Sequence, residues 1–126
     1  MTGYTQEFFI PGPLPGMNEI LAAAAKRMGR WSQYGALKSS WGHAIALCIL
    51  EYRLTAMGTV HIEFKWVEKN KKRDKDNIAC GKKFILDALV HAGILNDDGW
   101  LHVVGFTDLF TVDASRPGVF VTLREV

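Results

Sequence analysis

The chain has 126 residues, 48% of them hydrophobic and 22% charged, with a formal net charge of +2. This excludes a disordered tail and leaves room for one domain, residues 1–126, with a real core but not for two. No apolar run approaches the ~18 residues of a bilayer span. The start lacks the pattern of a signal peptide, and Cys48 and Cys80 are the only cysteines, so no disulfide framework or four-cysteine zinc site is expected and a reducing, cytoplasmic setting is the default.

Tyr4–Ile10 reads as a strand, stopped by Pro11-Gly12-Pro13-Leu14-Pro15-Gly16, where prolines lack the N–H that pairing needs. Asn18 is a candidate cap for an Ala-rich helix over Ile20–Met28 closed by Gly29. A connection over 29–36 leads to a second helix, Leu37–Leu54. There Trp41, Ile45, Cys48 and Tyr52 recur at helical spacing, and Leu47, Ile49 and Leu50 predict packing on more than one side.

Thr59–Val67 alternates, with Val60, Ile62, Phe64 and Trp66 on one face and His61, Glu63 and Lys65 on the other, so a half-buried strand is expected. Trp66, next to the basic stretch, stands where an exposed ring would stack on a bound partner, but its place on the Val60–Trp66 face favours the core. After Glu68–Lys75 a helix runs to Ala92, with Gly93 as its left-handed stop and Ile94 folding back on Leu89. Asn96-Asp97-Asp98-Gly99 is a turn, and Leu101–Val112 and Val119–Val126 are two more strands. The fold class is α/β (α+β): one domain with a mixed sheet and helices packed on it, in the order β-α-α-β-α-β-β.

Charge is unevenly spread. Between 65 and 83, Lys65, Lys69, Lys71, Lys72, Arg73, Lys75, Lys82 and Lys83 face only Glu68, Asp74 and Asp76, a net +5, while the segments 1–64 and 84–126 carry +1 and −4. A basic cluster points to a polyanion, although a solvated lysine loop is the plain alternative. Asp74 and Asp76 stand at i, i+2, so an extended segment would aim both carboxylates one way. If the chain folds across, Asp98 joins them. Carboxylates with no neighbouring His or Cys suit Mg²⁺ or Mn²⁺, and such an ion completed by phosphate oxygens serves phosphodiester chemistry, with a lysine to stabilise developing charge. The competing account is that Asp74, Asp76 and Asn77 cap a helix and Asp97-Asp98-Gly99 is only a turn.

Lys71–Asn77 (Lys-Lys-Arg-Asp-Lys-Asp-Asn), Phe84–Gly93 (Phe-Ile-Leu-Asp-Ala-Leu-Val-His-Ala-Gly) and Asn96–Asp98 together resemble the RusA-type Holliday junction resolvases. Pro13–Asn18 adds a likeness to the family's amino-terminal element. The resemblance implies a homodimeric, Mg²⁺-dependent endonuclease that cuts four-way DNA junctions in recombination and repair. It implies Asp74, Asp76 and Asp98 as catalytic ion ligands and Asp87 as the helix aspartate. The stretch between Asp76 and Asp87 is longer than in short members, with Gly81 marking the added turn. Cys80 stands where one spacing puts the catalytic lysine, and Lys83, i, i+4 from Asp87, is preferred with Lys82 as fallback. Lys69, Lys71, Lys72, Arg73, Lys75, Asn77 and Lys82 would contact DNA. A dimer suits a two-fold substrate, and small resolvases of this type occur in phages and bacteria.

Other features carry less. Glu63-Phe64-Lys65 mimics half of a restriction-type nuclease site without an upstream aspartate. His43, His61, His91 and His102 lack ligand spacing, and Gly12 and Gly16 precede no Gly-Lys-Ser/Thr. Two other classes stay open: a non-catalytic branched-DNA-binding protein on the same fold, and a metal-independent protein-interaction module.

Overall fold

The computed structural model describes residues 4–28 and 31–126. The elements run β1 (Thr5–Pro11), α1 (Met17–Ala25), β2 (Arg27–Met28), β3 (Trp31–Ser32), α2 (Gln33–Glu51), β4 (Val60–Glu68), α3 (Lys75–Ala79), α4 (Lys82–His91), β5 (Val103–Val112) and β6 (Gly118–Glu125). The expected order holds, with two additions: β2 and β3 pair as a small antiparallel hairpin, and the third helix is in two pieces.

Four strands make a mixed sheet in the order β1-β6-β4-β5. β6 runs antiparallel to both β1 and β4, while β4 and β5 are parallel. Parallel neighbours need a crossover, and α3 with α4 supplies it. The alternation of β4 does what period two predicts: Val60, Ile62, Phe64 and Trp66 are buried together with Val119, Val121 and Leu123 of β6 and Phe8 and Ile10 of β1. Helix α4 adds Phe84, Ile85, Leu86, Ala88 and Leu89, and α2 adds Ile45, Cys48 and Ile49. Complete burial of each large side chain is worth about 1.5–3 kcal/mol, so this shared layer holds the helices on the sheet. Burial also raises the Cys48 thiol pKa, with Glu51 adding to the effect.

Helix ends follow local chemistry. Ser32 caps α2 by accepting the Gly35 N–H at 3.1 Å. Gly93, at φ +78°, ends α4: its N–H reaches the Val90 carbonyl, and the Ile94 N–H reaches that of Leu89. That pairing, with Ile94 and Leu89 both buried, is the expected helix stop.

Two expectations are corrected. Helix α1 starts earlier and is capped at Gly16, whose N–H donates to Glu19 Oε1 at 2.8 Å; Asn18 lies inside the first turn. Its expected stop, Gly29, lies outside the described residues. Leu47 and Leu50 of α2 are exposed rather than packed, because they lie off the Ile45–Cys48–Ile49 stripe that the helix buries.

The break between α3 and α4 has a packing cause. Gly81 is buried against the Pro-rich segment, and a Cβ there would meet the Pro15 carbonyl at 3.1 Å and Leu14 Cβ at 3.2 Å. The chain turns at Cys80–Gly81 so that Leu14 and Pro15 can reach the core.

Candidate active site

The loop after β4 and the start of α3 carry the acidic and basic residues singled out by sequence. Asp74 is the extended residue at the α3 N-cap (φ −72°, ψ 154°), and its carboxylate makes no capping hydrogen bond. An aspartate at this position ordinarily accepts an N–H of the first turn. Here it takes neither a hydrogen bond nor an ion pair from the described residues. Asp76, in the first turn of the helix, accepts the Asn77 N–H at 2.9 Å. The two residues are therefore not i, i+2 along a strand; they bracket a helix start. They still converge, since both line an open cleft of about 860 Å³ with Lys71, Lys75, Phe110 and Val112, and both line a smaller one of about 310 Å³ with Lys72 and Asn18.

The basic residues divide into two groups. Lys71, Lys72 and Lys75 are exposed around these clefts, with the Lys75 ammonium 5.9 Å from the Phe110 ring centroid, and Lys69 is exposed at a neighbouring hollow lined by Leu14, Glu68 and Arg73. Arg73 and Lys82 are taken up inside the molecule. The Arg73 Nε and Nη2 donate to the two oxygens of Glu68, at 2.9 and 2.8 Å, and its Nη1 donates to the Leu14 carbonyl and to Glu19. These partners, the Glu68 hydrogen bond first, raise the Arg73 pKa further. Lys82 Nζ donates to Asp108 Oδ2 at 2.8 Å and lies over the rings of Phe106 and Phe64. Asp108 Oδ1 accepts the Trp66 indole N–H at 2.8 Å, so Trp66 is a core residue with a polar partner.

Asn77 joins the two ends of this region. Its Oδ1 accepts the Asn18 N–H at 2.9 Å, and a Cβ on Gly16 would sit 2.6 Å from both its carbonyl and its Oδ1. Asn77 thus fastens the Pro-Gly-Met-Asn segment to α3.

Lys83 and Asp98 are brought together elsewhere. Lys83 Nζ lies 3.0 Å from Asp87 and 3.7 Å from Asp98, and Lys38 approaches Asp87 at 3.7 Å. The hydrogen bond to Asp87 is the main reason the Lys83 pKa is raised, with Asp98 adding to it. Lys83 and Asp87 line the groove between α2 and α4 with Lys38, His43 and His91, a set that shares no residue with the Asp74–Asp76 cleft. Among the described residues, no three His, Cys, Asp or Glu side chains form a group that could hold a metal ion. The single-protomer pocket of three carboxylates is therefore not formed.

The family model of endodeoxyribonuclease RusA matches residues 38–124, more than half of the chain. The chain belongs to the RusA endodeoxyribonuclease family. The match runs from α2 into β6; it contains Asp74, Asp76 and Asp98 and leaves out β1 and α1. Membership in the RusA family brings nuclease activity on Holliday junctions and binding of branched DNA. A search of curated proteins gave no match. Among the described residues no helix is long and apolar enough to cross a membrane.

Sequence reading missed four members of the region: Glu68, Glu19, Asp108 and Phe110. Asp108 had a signal, because it falls between Phe106 and Phe110 on one face of a strand. A carboxylate on an apolar face calls for a partner.

Proposed function

We propose that this RusA-family protein is a Mg²⁺-dependent resolvase, with Mn²⁺ as a substitute ion, that cuts four-way DNA junctions symmetrically as a homodimer. Its setting would be recombination and repair in the cytoplasm of a bacterial or phage-infected cell. The observation that carries the reading is the Asp74 carboxylate: it stands at a helix start without its usual hydrogen bond and opens, with Asp76, into a cleft rimmed by lysines. An all-oxygen donor set of two carboxylates fits Mg²⁺, which binds through one or two carboxylates and leaves its other positions to water and phosphate. Asp74 and Asp76 would hold the ion; bound there, it supplies charge neutralisation and an acidified water at the scissile phosphate.

The chain's own part is positioning. Lys71, Lys72 and Lys75 hold the DNA backbone at the cleft mouth. Phe110 and Val112 give the cleft an apolar wall. Arg73, held by Glu68, Glu19 and Leu14, fixes the backbone next to Asp74.

A labelled immobile four-way junction, incubated with Mg²⁺, with Mn²⁺ or with EDTA, tests this. Paired nicks in opposite strands are expected in both divalent lanes, with binding alone in EDTA and no cutting of linear duplex. The separation of Lys83 and Asp98 from the cleft favours a second reading, a branched-DNA-binding protein that does not cut. Binding in all three lanes without nicks would establish it. No binding even at low salt would leave an interaction module.

A further inference from the structure

The helices pack on one face of the sheet, and Lys65, Leu109, Thr111 and Arg124 are exposed on the other. One row across this second face reads Phe9 of β1, Phe120 of β6, Lys65 of β4 and Leu109 of β5. The rings of Phe9 and Phe120 pack with their centroids 4.7 Å apart. Gly118 leaves room for them, since a Cβ there would stand 2.5 Å from Phe9 Cζ. The Arg116 guanidinium lies 4.3 Å from the Phe9 centroid and 6.0 Å from that of Phe120, and the Lys65 ammonium lies 5.8 Å from Phe120. One aromatic pair thus holds two cations in place, and a ring does this without cancelling their charge.

Neither charge is answered within the molecule. Among the described residues Lys65 and Arg116 form no ion pair, unlike Arg73, Lys82 and Lys83. Asp113, the acid nearest to Arg116 in the chain, turns its carboxylate to Ser115 instead, accepting the N–H at 3.0 Å and the hydroxyl at 2.6 Å. That turn is itself fixed: the Asp113 N–H donates to the Glu68 carbonyl at 2.9 Å, and the Arg116 N–H to the Asp113 carbonyl at 3.3 Å. Glu7 and Glu63, on the same face, flank Thr122 one row farther from the acidic cleft, and the Thr122 hydroxyl donates to Glu7 at 2.9 Å. The half of the face nearest the cleft is therefore cationic.

Continuity with the cleft selects the occupant. Thr111 pairs with Val67, two residues past Lys65, and also lines the cleft of Asp74 and Asp76. A polyanion held at Lys71 and Lys75 reaches this face along Thr111 and meets Lys65 next. Cations set on rings with their N–H groups free suit phosphate oxygens, and a stacked arginine keeps its planar fork for them.

We propose that the helix-free face of the sheet is a second phosphate-binding surface, on which Lys65 and Arg116 hold the backbone of a duplex arm leaving the acidic cleft. The proposal rests on the binding of branched DNA that family membership brings, and not on metal binding or cutting.

Fluorescence anisotropy on a labelled four-way junction, from low to moderate salt, tests it. Lys65→Ala with Arg116→Ala is expected to flatten log K against log salt by about 2, near 0.9 for each phosphate no longer neutralised. Arg116→Gln alone is expected to flatten it by about 0.9, whereas Arg116→Lys, which keeps the charge, retains the wild-type slope. Arg124→Ala removes the same charge from the same face, at the end away from the cleft, and is expected to leave the slope unchanged. Circular dichroism confirms that each variant is folded, and the single glutamine decides the matter if the double alanine is not. A wild-type slope in Arg116→Gln would overturn the surface. So would equal flattening by Arg124→Ala, which marks a general charge effect, or by Arg116→Lys, which marks lost packing on Phe9. Each of these leaves the cleft reading intact. A wild type that binds no junction even at low salt would overturn both.

Discussion

Arg73 holds Glu68 with two parallel hydrogen bonds, Nε to Oε1 at 2.9 Å and Nη2 to Oε2 at 2.8 Å, immediately beside Asp74. Glu68 ends β4 and is buried, whereas the loop that follows is the most charged part of the chain. The pair therefore transfers the rigidity of the sheet to the first residue of the cleft. The remaining guanidinium nitrogen reaches Leu14 and Glu19, so the Pro-rich segment and α1 hang on the same side chain.

Removing that guanidinium leaves a buried carboxylate without its partner. Arg73→Ala is expected to cost about 3 kcal/mol, the low end for breaking a buried pair, read as a shift in urea midpoint. Arg73→Lys keeps the charge but cannot make the two-point contact, and falls between. An alanine variant as stable as wild type would show that Glu68 finds another way to be satisfied.

Loss of a ligand charge separates binding from cutting. Asp76→Asn and Asp74→Asn change one oxygen each on exposed side chains and leave Lys71, Lys72 and Lys75 in place. Junction affinity is expected within about twofold of wild type, since every phosphate-facing lysine remains. Cutting is expected to fall by more than about a hundredfold, beyond the cost of disturbing an outer-shell partner. Gel shift and strand nicking on the same junction check both halves, and a variant that still cuts at near wild-type rate with Mg²⁺ would take the aspartates out of the chemistry.

How far the chain could be read in advance depends on the range of the forces involved. Period-two alternation in Val60–Trp66 and the Gly93 stop of α4 are local, and both stand as expected. The loop between β4 and α3 shows the opposite. Sequence grouped Arg73 and Lys82 with the exposed lysines, because charge counts the same whether it is solvated or paired. Their partners, Glu19, Glu68 and Asp108, come from α1, the end of β4 and the middle of β5, and only the fold brings them in. The break at Gly81 is likewise a tertiary effect of Leu14 and Pro15. Asp98 is the plainest case: its position in a turn was legible, but its neighbour Lys83 depends on where α4 begins.

The division of the basic residues has a measurable consequence. Lys71→Ala with Lys72→Ala removes two exposed cations at the cleft mouth. Log K against log salt is expected to flatten by about 2, near 0.9 for each phosphate that is no longer neutralised. Lys82→Ala is expected to leave that slope unchanged and to lower stability by about 1–2 kcal/mol, as Asp108 loses a charged hydrogen-bond partner. Fluorescence anisotropy from low to moderate salt, with urea melts alongside, distinguishes the two classes of lysine. An equal flattening by Lys82→Ala would put that residue at the DNA instead of in the sheet.

Acid should loosen the amino-terminal segment through Glu19. Its carboxyl is held below its ordinary 4.5, first by the Gly16 N–H and further by Arg73. A group with a lowered folded pKa contributes stability that is present above its unfolded value and lost as pH falls through the folded one. Glu19→Gln retains an oxygen for the Gly16 N–H and gives up the charge. The wild type is therefore expected to be the more stable of the two near neutral pH. The gap is expected to close only below 4.5, where the wild-type carboxyl takes its proton. Urea midpoints of both proteins across the acid range read this directly. A gap that stays constant or widens on acidification would show that the charge of Glu19 contributes nothing to the hold of Arg73 on α1.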